Sequence, residues 1–421
     1  MDISGNCIPV IEQHRCVGCG NCVACCPAGC FSMTTDPAGF VTAQINENFA
    51  ALCKDCGLCK KFCPELQTPE TGVDPERILC YSAWHKDRNV VLNSSSGGVF
   101  FALATAFLSQ GGLVAGVVMK NNRAVYQLAS EPSGLKQFQG SKYIPAEITG
   151  FYPSLTEALR NNKKVLISLL PCIAKAVRMR FHKYIINGQL VIIDFVCAGV
   201  PAPVYFRKEA EAGNITVDRF RFKDGQNYCW HNSSVLSGTE NNSGKPVCIS
   251  VKKSPFYNGF ACDLILRKSC YNCHHAQLSR NGDITLADFW GEKRFPEQQK
   301  YGISLVMVNS EAGKQLLKIA ENDLEINTAS ICDAAGKNPR LYFGKKSRQY
   351  HILCRNFSKI IKWAPLCLLN LLYGGGYRRI IFRKLPYTLL WPKKNKAARI
   401  VEHERQAVFN EIFVAQGKKT L

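Results

Sequence analysis

Cys16 to Pro27 reads CVGCGNCVACCP, and its spacing returns between Cys53 and Pro64 as CKDCGLCKKFCP. Five cysteines within eleven residues exceed what packing needs, and so short a loop cannot join them as disulfides. Each run is C-x2-C-x2-C-x3-C followed by proline. Thiolates two residues apart wrap a tight loop around one cubane, and the proline directs the fourth to a second cubane. The spacing therefore predicts one 4Fe–4S cluster on Cys16, Cys19, Cys22 and Cys63, and another on Cys53, Cys56, Cys59 and Cys26. The competing readings are zinc or inert buried thiols. Zinc takes four ligands, usually from two separated C-x2-C pairs, and gains nothing from such a run. Gly18, Gly20 and Gly57 suit close approach of backbone amides to sulfide. Cys25 and Cys30 stand outside the spacing and read as packing residues.

The chain has 421 residues, enough for two or three domains, and 22 cysteines. Its start, MDISGNCIPV, lacks the basic and long apolar regions of a signal peptide, so a cytoplasmic protein with reduced thiols is expected. Net charge is +21, unevenly spread. From Lys337 onward nineteen Lys and Arg face three acids, a surplus of sixteen that leaves five for the rest. The longest apolar stretch, Gly97 to Met119, is interrupted by Ser109, Gln110, Gly111 and Gly112. It reads as a buried helix, a turn and a buried strand, and not as a membrane span.

Three regions follow. Residues 1–70 carry the cysteine runs, an α+β ferredoxin-like two-cluster module, and end in the turn-rich PELQTPETGVDPE. Residues 71–335 alternate β-branched runs with helical stretches, the pattern of an α/β domain with at least partly parallel strands. KVLISLL (164–170) and QLVIIDFVC (189–197) read as buried strands, and SLTEALRNN (154–162) as a helix capped by Ser154 and Glu157. LKQFQGSKY stays ambiguous. Residues 336–421 form a basic, mainly helical extension mixing Leu, Trp and Tyr with clustered cations.

Four features of the middle region carry chemistry. SSSGGVF (94–100) places hydroxyls and glycines at a helix start, which presents amides to a phosphate or flavin edge or is a plain N-cap. GSKY (140–143) is a similar glycine turn. Cys172 and Cys197 follow strands, and Cys270 and Cys273 follow in RKSCYNCHH. Strand ends of an open α/β sheet converge on a crevice. These four thiols thus form a third cluster or, alternatively, two core cysteines and a zinc-like knuckle. In RNGDITLADFWGEKRF (280–295), Asp283 and Asp288 precede Trp290 and Gly291. A buried acid there accepts a hydrogen bond from a flavin or ribose hydroxyl, or caps a turn.

In this order SSSGG, GSKY, LPC, CAGVP, CYNCHHAQLSRNGDITLADFWG and GISLVMVNSEAGKQLL resemble the coenzyme F420 hydrogenase/dehydrogenase beta-subunit family, over roughly 79–320. A two-cluster module commonly precedes that domain. The resemblance implies an iron–sulfur flavin oxidoreductase with FAD and a 4Fe–4S cluster in the middle domain. It points to Cys172, Cys197, Cys270 and Cys273 as ligands. Ser96, Gly97, Gly98, Gly140, Ser141, Lys142 and Tyr143 become the flavin candidates, with Asp288 in the most recognisable motif. Leu170 and Ala287 stand where the family often has glycine, which narrows the approach to a planar cofactor.

The leading expectation is electron transfer between clusters and an FAD-bound organic substrate or deazaflavin-type cofactor, related chains occurring in bacterial polysaccharide loci. FAD suits this because it exchanges hydride with a substrate and single electrons with clusters. The alternative is a non-catalytic iron–sulfur carrier docking on a larger redox complex. A weaker reading gives the clusters a purely structural role. No acid–base residue stands out; His274 and His275 are proton donors or ordinary hydrogen-bonding histidines. Partners would be a ferredoxin or a larger oxidoreductase complex. The basic tail fits attachment to an anionic membrane face, docking of an acidic ferredoxin, or a solvated helical appendage. Nucleic acid is not expected, since no binding module accompanies the charge.

Overall fold

The protein is described by a computed structural model covering residues 6–67, 77–221, 235–250, 254–261, 263, 265–344 and 396–414. The end of the turn-rich linker and most of the basic tail lie outside the described residues.

The N-terminal unit is built on a hairpin of β1 (Phe31–Thr35) and β2 (Val41–Ile45) with short helical turns at Asn21–Cys25 and Leu58–Lys61. Both turns start from glycines in the left-handed region, Gly20 (φ 71°) and Gly57 (φ 70°), each inside a C-x2-C pair. Larger residues are strained at that φ, which explains glycine there.

The middle unit supplies β3 (Leu79–His85), β4 (Leu113–Lys120), β5 (Arg123–Ala129), β6 (Val165–Leu169) and β7 (Leu190–Phe195). A separate antiparallel sheet follows, of β8 (Ile215–Arg221), β9 (Val235–Glu240) and β10 (Pro246–Ser250), and then come β11 (Ile284–Asp288), β12 (Ser304–Val308) and β13 (Leu324–Thr328). The main sheet has eight strands in the order β13-β3-β12-β11-β7-β6-β4-β5. Its centre, β11-β7-β6-β4, is parallel, and the remaining pairings are antiparallel.

Alternation along the strands divides the core. Leu166, Val191, Ile193, Leu286 and Val306 pack under the helices Val99–Ser109 and Glu311–Ile319. Val165, Ile167, Leu169, Leu190 and Ile192 face the helices Tyr152–Arg160 and Pro171–Arg180 on the other side. Strands covered on both faces read as continuous apolar runs, as β6 and β12 do. Each fully buried Leu or Ile contributes roughly 1.5–3 kcal/mol.

The apolar stretch from Gly97 resolves into the helix Val99–Ser109, a turn, and β4, as its punctuation indicates. The helix expected to start at Ser154 instead begins at Tyr152, where Pro153 occupies the first turn and no side chain caps it. Proline tolerates that position because its missing N–H would be unpaired there anyway, so Ser154 lies inside the helix. The ambiguous LKQF is the end of the helix Pro132–Phe138. The helix Ile331–Lys337 runs across position 335, and Leu341, Tyr342 and Phe343 are buried against Phe289, Leu305 and Met307. Near the C-terminus, the helix Lys396–Phe409 lays Val408 and Phe409 on that cluster.

Candidate redox site

Parallel strands point their carboxyl ends to one edge of the sheet, and three adjacent ones carry site residues there. Cys172 lies in the first turn of the helix after β6, Cys197 follows β7, and Asp288 ends β11. Cys270 sits in the 3-10 turn Lys268–Tyr271, and Cys273 donates its N–H to Gly344 O at 3.0 Å. The four thiols are brought together: Cys172 is pushed well up by burial and then by Cys273, Cys197 and Cys270. Cys270 is pushed up to about 12 by burial first, then by Cys197 and Cys273. Backbone amides already address two of the sulfurs, Gly199 N to Cys197 Sγ and Val200 N to Cys270 Sγ, both 3.4 Å.

The N-terminal thiols show the same features at the first set. Burial, opposed by backbone N–H contact with Asn21, pushes Cys19 well up, and Cys16, Cys63 and Cys22 are the charged neighbours that add to it. Gly18 N and Ala43 N each donate to Cys16 Sγ at 3.4 Å. The second set is looser. Cys56 is exposed, Cys59 meets Cys7 and Cys22, and Cys26 and Cys53 meet through Cys30. Cys7, overlooked in the sequence, is a buried thiol whose pKa is pushed up by hydrogen bonding to Cys22 and Cys59 and by burial. Among the described residues no three His, Cys, Asp or Glu side chains stand as ligands of a single metal ion.

The donor chemistry fits iron–sulfur clusters. Each set offers thiols and no other ligand type, burial disfavours the free thiolates of Cys16, Cys19, Cys63, Cys172 and Cys270, and N–H···S contacts are the hydrogen bonds that tune cluster sulfurs.

The N-terminal unit is fastened to the edge that carries Cys172. Tyr152 donates its hydroxyl to Cys19 O (2.9 Å), and Asn21 Nδ2 bridges Phe62 O and Ala176 O, both at 3.0 Å. His275 Nε2 and Glu65 Oε1 are 2.7 Å apart and buried, which makes His275 a hydrogen-bonding histidine. Glu65 lies two residues after Cys63 and His275 two residues after Cys273, so this hydrogen bond ties the segments of the first and third thiol sets together.

The flavin candidates form one constellation. Ser141 N donates to Ser95 Oγ at 2.6 Å, joining GSKY to SSSGG. Gly98 (φ 85°) caps the helix Val99–Ser109. Burial holds Tyr143 neutral, and Tyr257, whose ring centroid lies 6.0 Å away, Asp288 and Cys197 each raise its pKa further. Lys142 Nζ donates to Gln137 O, Phe138 O and Gln139 O at 2.8–3.1 Å. Burial, then Arg219, pulls its pKa down to about 7, while those carbonyls favour the ammonium. Gly140 (φ 80°) lies beside Phe220 O.

Two candidates are engaged with the sheet. Gly97 N donates to Ser304 Oγ (3.0 Å) and Ser96 Oγ to Ile303 O (2.9 Å). A Cβ on Gly97 would stand 2.5 Å from Ala83 O, so glycine there serves packing. Asp283 is likewise structural, accepting from Ile192 N, Arg178 and Ser310. Leu170 packs into the hydrophobic clusters on both sides of it.

Sequence comparison decides the family. Residues 80–151 match the N-terminal domain of the coenzyme F420 hydrogenase/dehydrogenase beta subunit, and residues 162–334 match its C-terminal domain. The chain belongs to this family. One of the F(420)H(2) dehydrogenase subunits of Methanosarcina mazei is 24% identical over 196 residues, 44% of this chain and 53% of that protein. Pyruvate synthase subunit PorD of Methanothermobacter marburgensis is 30% identical over 56 residues, 13% of this chain and 56% of that one. The chain thus spans about half the length of the curated relatives it matches. A chain of the F420-reducing NiFe hydrogenase complex from Methanosarcina barkeri superposes with a TM-score of 0.41 and 18% identity, covering 59% of this chain and 81% of that one. Among the described residues no helix is long and apolar enough to cross a membrane.

Three residues that the sequence alone does not single out shape this family site. Arg280 donates to Phe195 O, His275 O and Gln277 O and pairs with buried Asp194, tying the Cys273 loop to β7. Arg340 donates to the carbonyls of Cys197, Cys270 and Gly344. Arg267 reaches Cys16 O. Nothing in local spacing marks them, because each acts between segments remote in sequence.

Proposed function

We propose that this family member is an iron–sulfur flavoprotein oxidoreductase. One 4Fe–4S cluster is assigned to Cys16, Cys19, Cys22 and Cys63, a second to Cys53, Cys56, Cys59 and Cys26, and a third to Cys172, Cys197, Cys270 and Cys273. FAD is assigned to the SSSGG and GSKY loops beside Tyr143 and Asp288. When bound, clusters supply single electrons and FAD couples them to a two-electron organic substrate or a deazaflavin-type carrier. The residues of the chain hold thiolates by N–H···S bonds, exclude water by burial, and fix the N-terminal unit through Glu65–His275 and Tyr152.

The observation that carries the reading is contiguity. The Glu65–His275 hydrogen bond joins residues two positions from Cys63 and from Cys273, and both Cys197 and Asp288 act electrostatically on Tyr143. The two curated relatives, both named as enzyme subunits, favour a component of a larger redox complex. A place in a polysaccharide pathway rests on the sequence expectation alone. A second reading, an electron carrier without flavin, is favoured by the engagement of Gly97 N and Ser96 Oγ with β12.

Anaerobic purification with flavin extraction separates the two. The enzyme reading expects about one FAD per chain with about twelve irons. Full iron without flavin leaves the carrier, and zinc in place of iron sinks both.

A further inference from the structure

Arg267 stands where two thiol sets meet. Its backbone belongs to the Cys270 loop: Arg267 N donates to Val200 O (2.8 Å), and Arg267 O accepts from Cys270 N (2.9 Å). Its side chain crosses to the N-terminal unit, where Nη1 donates to Cys16 O at 3.4 Å and the guanidinium lies 4.8 Å from the Phe40 ring centroid. Nη1 is also 3.0 Å from where a Cβ on Gly18 would begin. The residue is only 9% exposed. Among the described residues no carboxylate pairs with it, and its Nε–H is buried without an acceptor. A guanidinium buried without countercharge is strongly unfavourable. The groups that feel its charge are thiols, Cys16 on one side and Cys270 on the other, and it favours the thiolate of each.

The geometry points to Arg267 as a positioning residue that serves as shared countercharge to two iron–sulfur clusters, one on Cys16, Cys19, Cys22 and Cys63, the other on Cys172, Cys197, Cys270 and Cys273. The inference rests on the cluster assignment above. Four thiolates outweigh the positive charge of the iron–sulfur core, so each assembly is net negative and gains one further unit on accepting an electron. A cation fixed between them favours the reduced form of both. When one electron passes across, one assembly is oxidised as the other is reduced. The summed charge it faces stays constant, which eases the transfer.

The test is an EPR-monitored redox titration of the full-length, anaerobically purified protein. Arg267→Gln is expected to lower the midpoint potentials of these two clusters and leave the cluster on Cys26, Cys53, Cys56 and Cys59 in place. Arg267→Lys, which keeps the charge, is expected to hold both potentials near wild type. Unchanged potentials in the Gln variant, or equal lowering in Gln and Lys, overturn the proposal. If the Gln variant does not assemble, the Lys variant decides: retained potentials support the shared cation, and a fall at both clusters overturns it. Wild-type protein without iron would sink the cluster assignment itself, a distinct failure seen before any titration.

Discussion

Arg280→Met removes a guanidinium whose side chain is 1% exposed and which faces a 0% exposed Asp194 carboxylate at 3.3 Å. It also strips donors from Phe195 O, Gln277 O and His275 O. Asp194 would keep Thr285 Oγ1 as its side-chain partner. Breaking a buried pair from one side costs roughly 3–5 kcal/mol, because the remaining charge stays buried. At roughly 2–4 °C per kcal/mol for a unit of this size, Tm should fall by about 6–20 °C. The double variant Arg280→Met, Asp194→Leu removes both charges and should recover most of the loss. Calorimetry of wild type, both single variants and the double under anaerobic buffer closes the cycle. A single-variant loss under about 1 kcal/mol, or a double no more stable than Arg280→Met, would refute the reasoning.

Gly97→Ala places a Cβ 2.5 Å from Ala83 O and 2.9 Å from Ser304 N, both backbone, and should cost about 1–3 kcal/mol by urea unfolding. Burial raises the Glu209 carboxyl from its ordinary 4.5 to about 6, against the hydrogen bonds from Phe256 N and Ser254. The folded state therefore binds more protons between those values, so this stabilisation is full below pH 4.5 and lost as pH rises through about 6. Glu209→Gln should flatten that decline by about 2 kcal/mol in unfolding measured from pH 4.5 to 7, and an unaltered slope would count against it. Truncation after Lys337 removes buried Leu341, Tyr342 and Phe343 and should lower Tm by several degrees more than truncation after Gly344, which keeps them. Equal Tm values would show that the C-terminal boundary of the unit lies earlier.

What the sequence disclosed was local. The strands β6 and β7 and the break at Ser109–Gly112 were legible because burial on both faces and glycine punctuation act within a few residues. The cysteine runs were legible for the same reason. Spacing misplaced the start of the helix Tyr152–Arg160, where Pro153 outweighs an apparent cap. Residues 338–344 read as part of a basic tail because Arg340 is locally one more cation. Of its four carbonyl acceptors, Cys270 O and Cys197 O lie 70 and 143 positions away. The Glu65–His275 pair, 210 positions apart, was invisible for that reason too.

The central claim is that the thiols at the edge of the main sheet hold a cluster in series with those of the N-terminal unit. Iron determination with Mössbauer spectroscopy on anaerobic wild type and Cys172→Ser addresses it most directly. The account predicts about twelve irons falling to about eight, with the remainder still in 4Fe–4S signals. An iron count that Cys172→Ser leaves unchanged, or zinc in place of iron at these thiols, would contradict it.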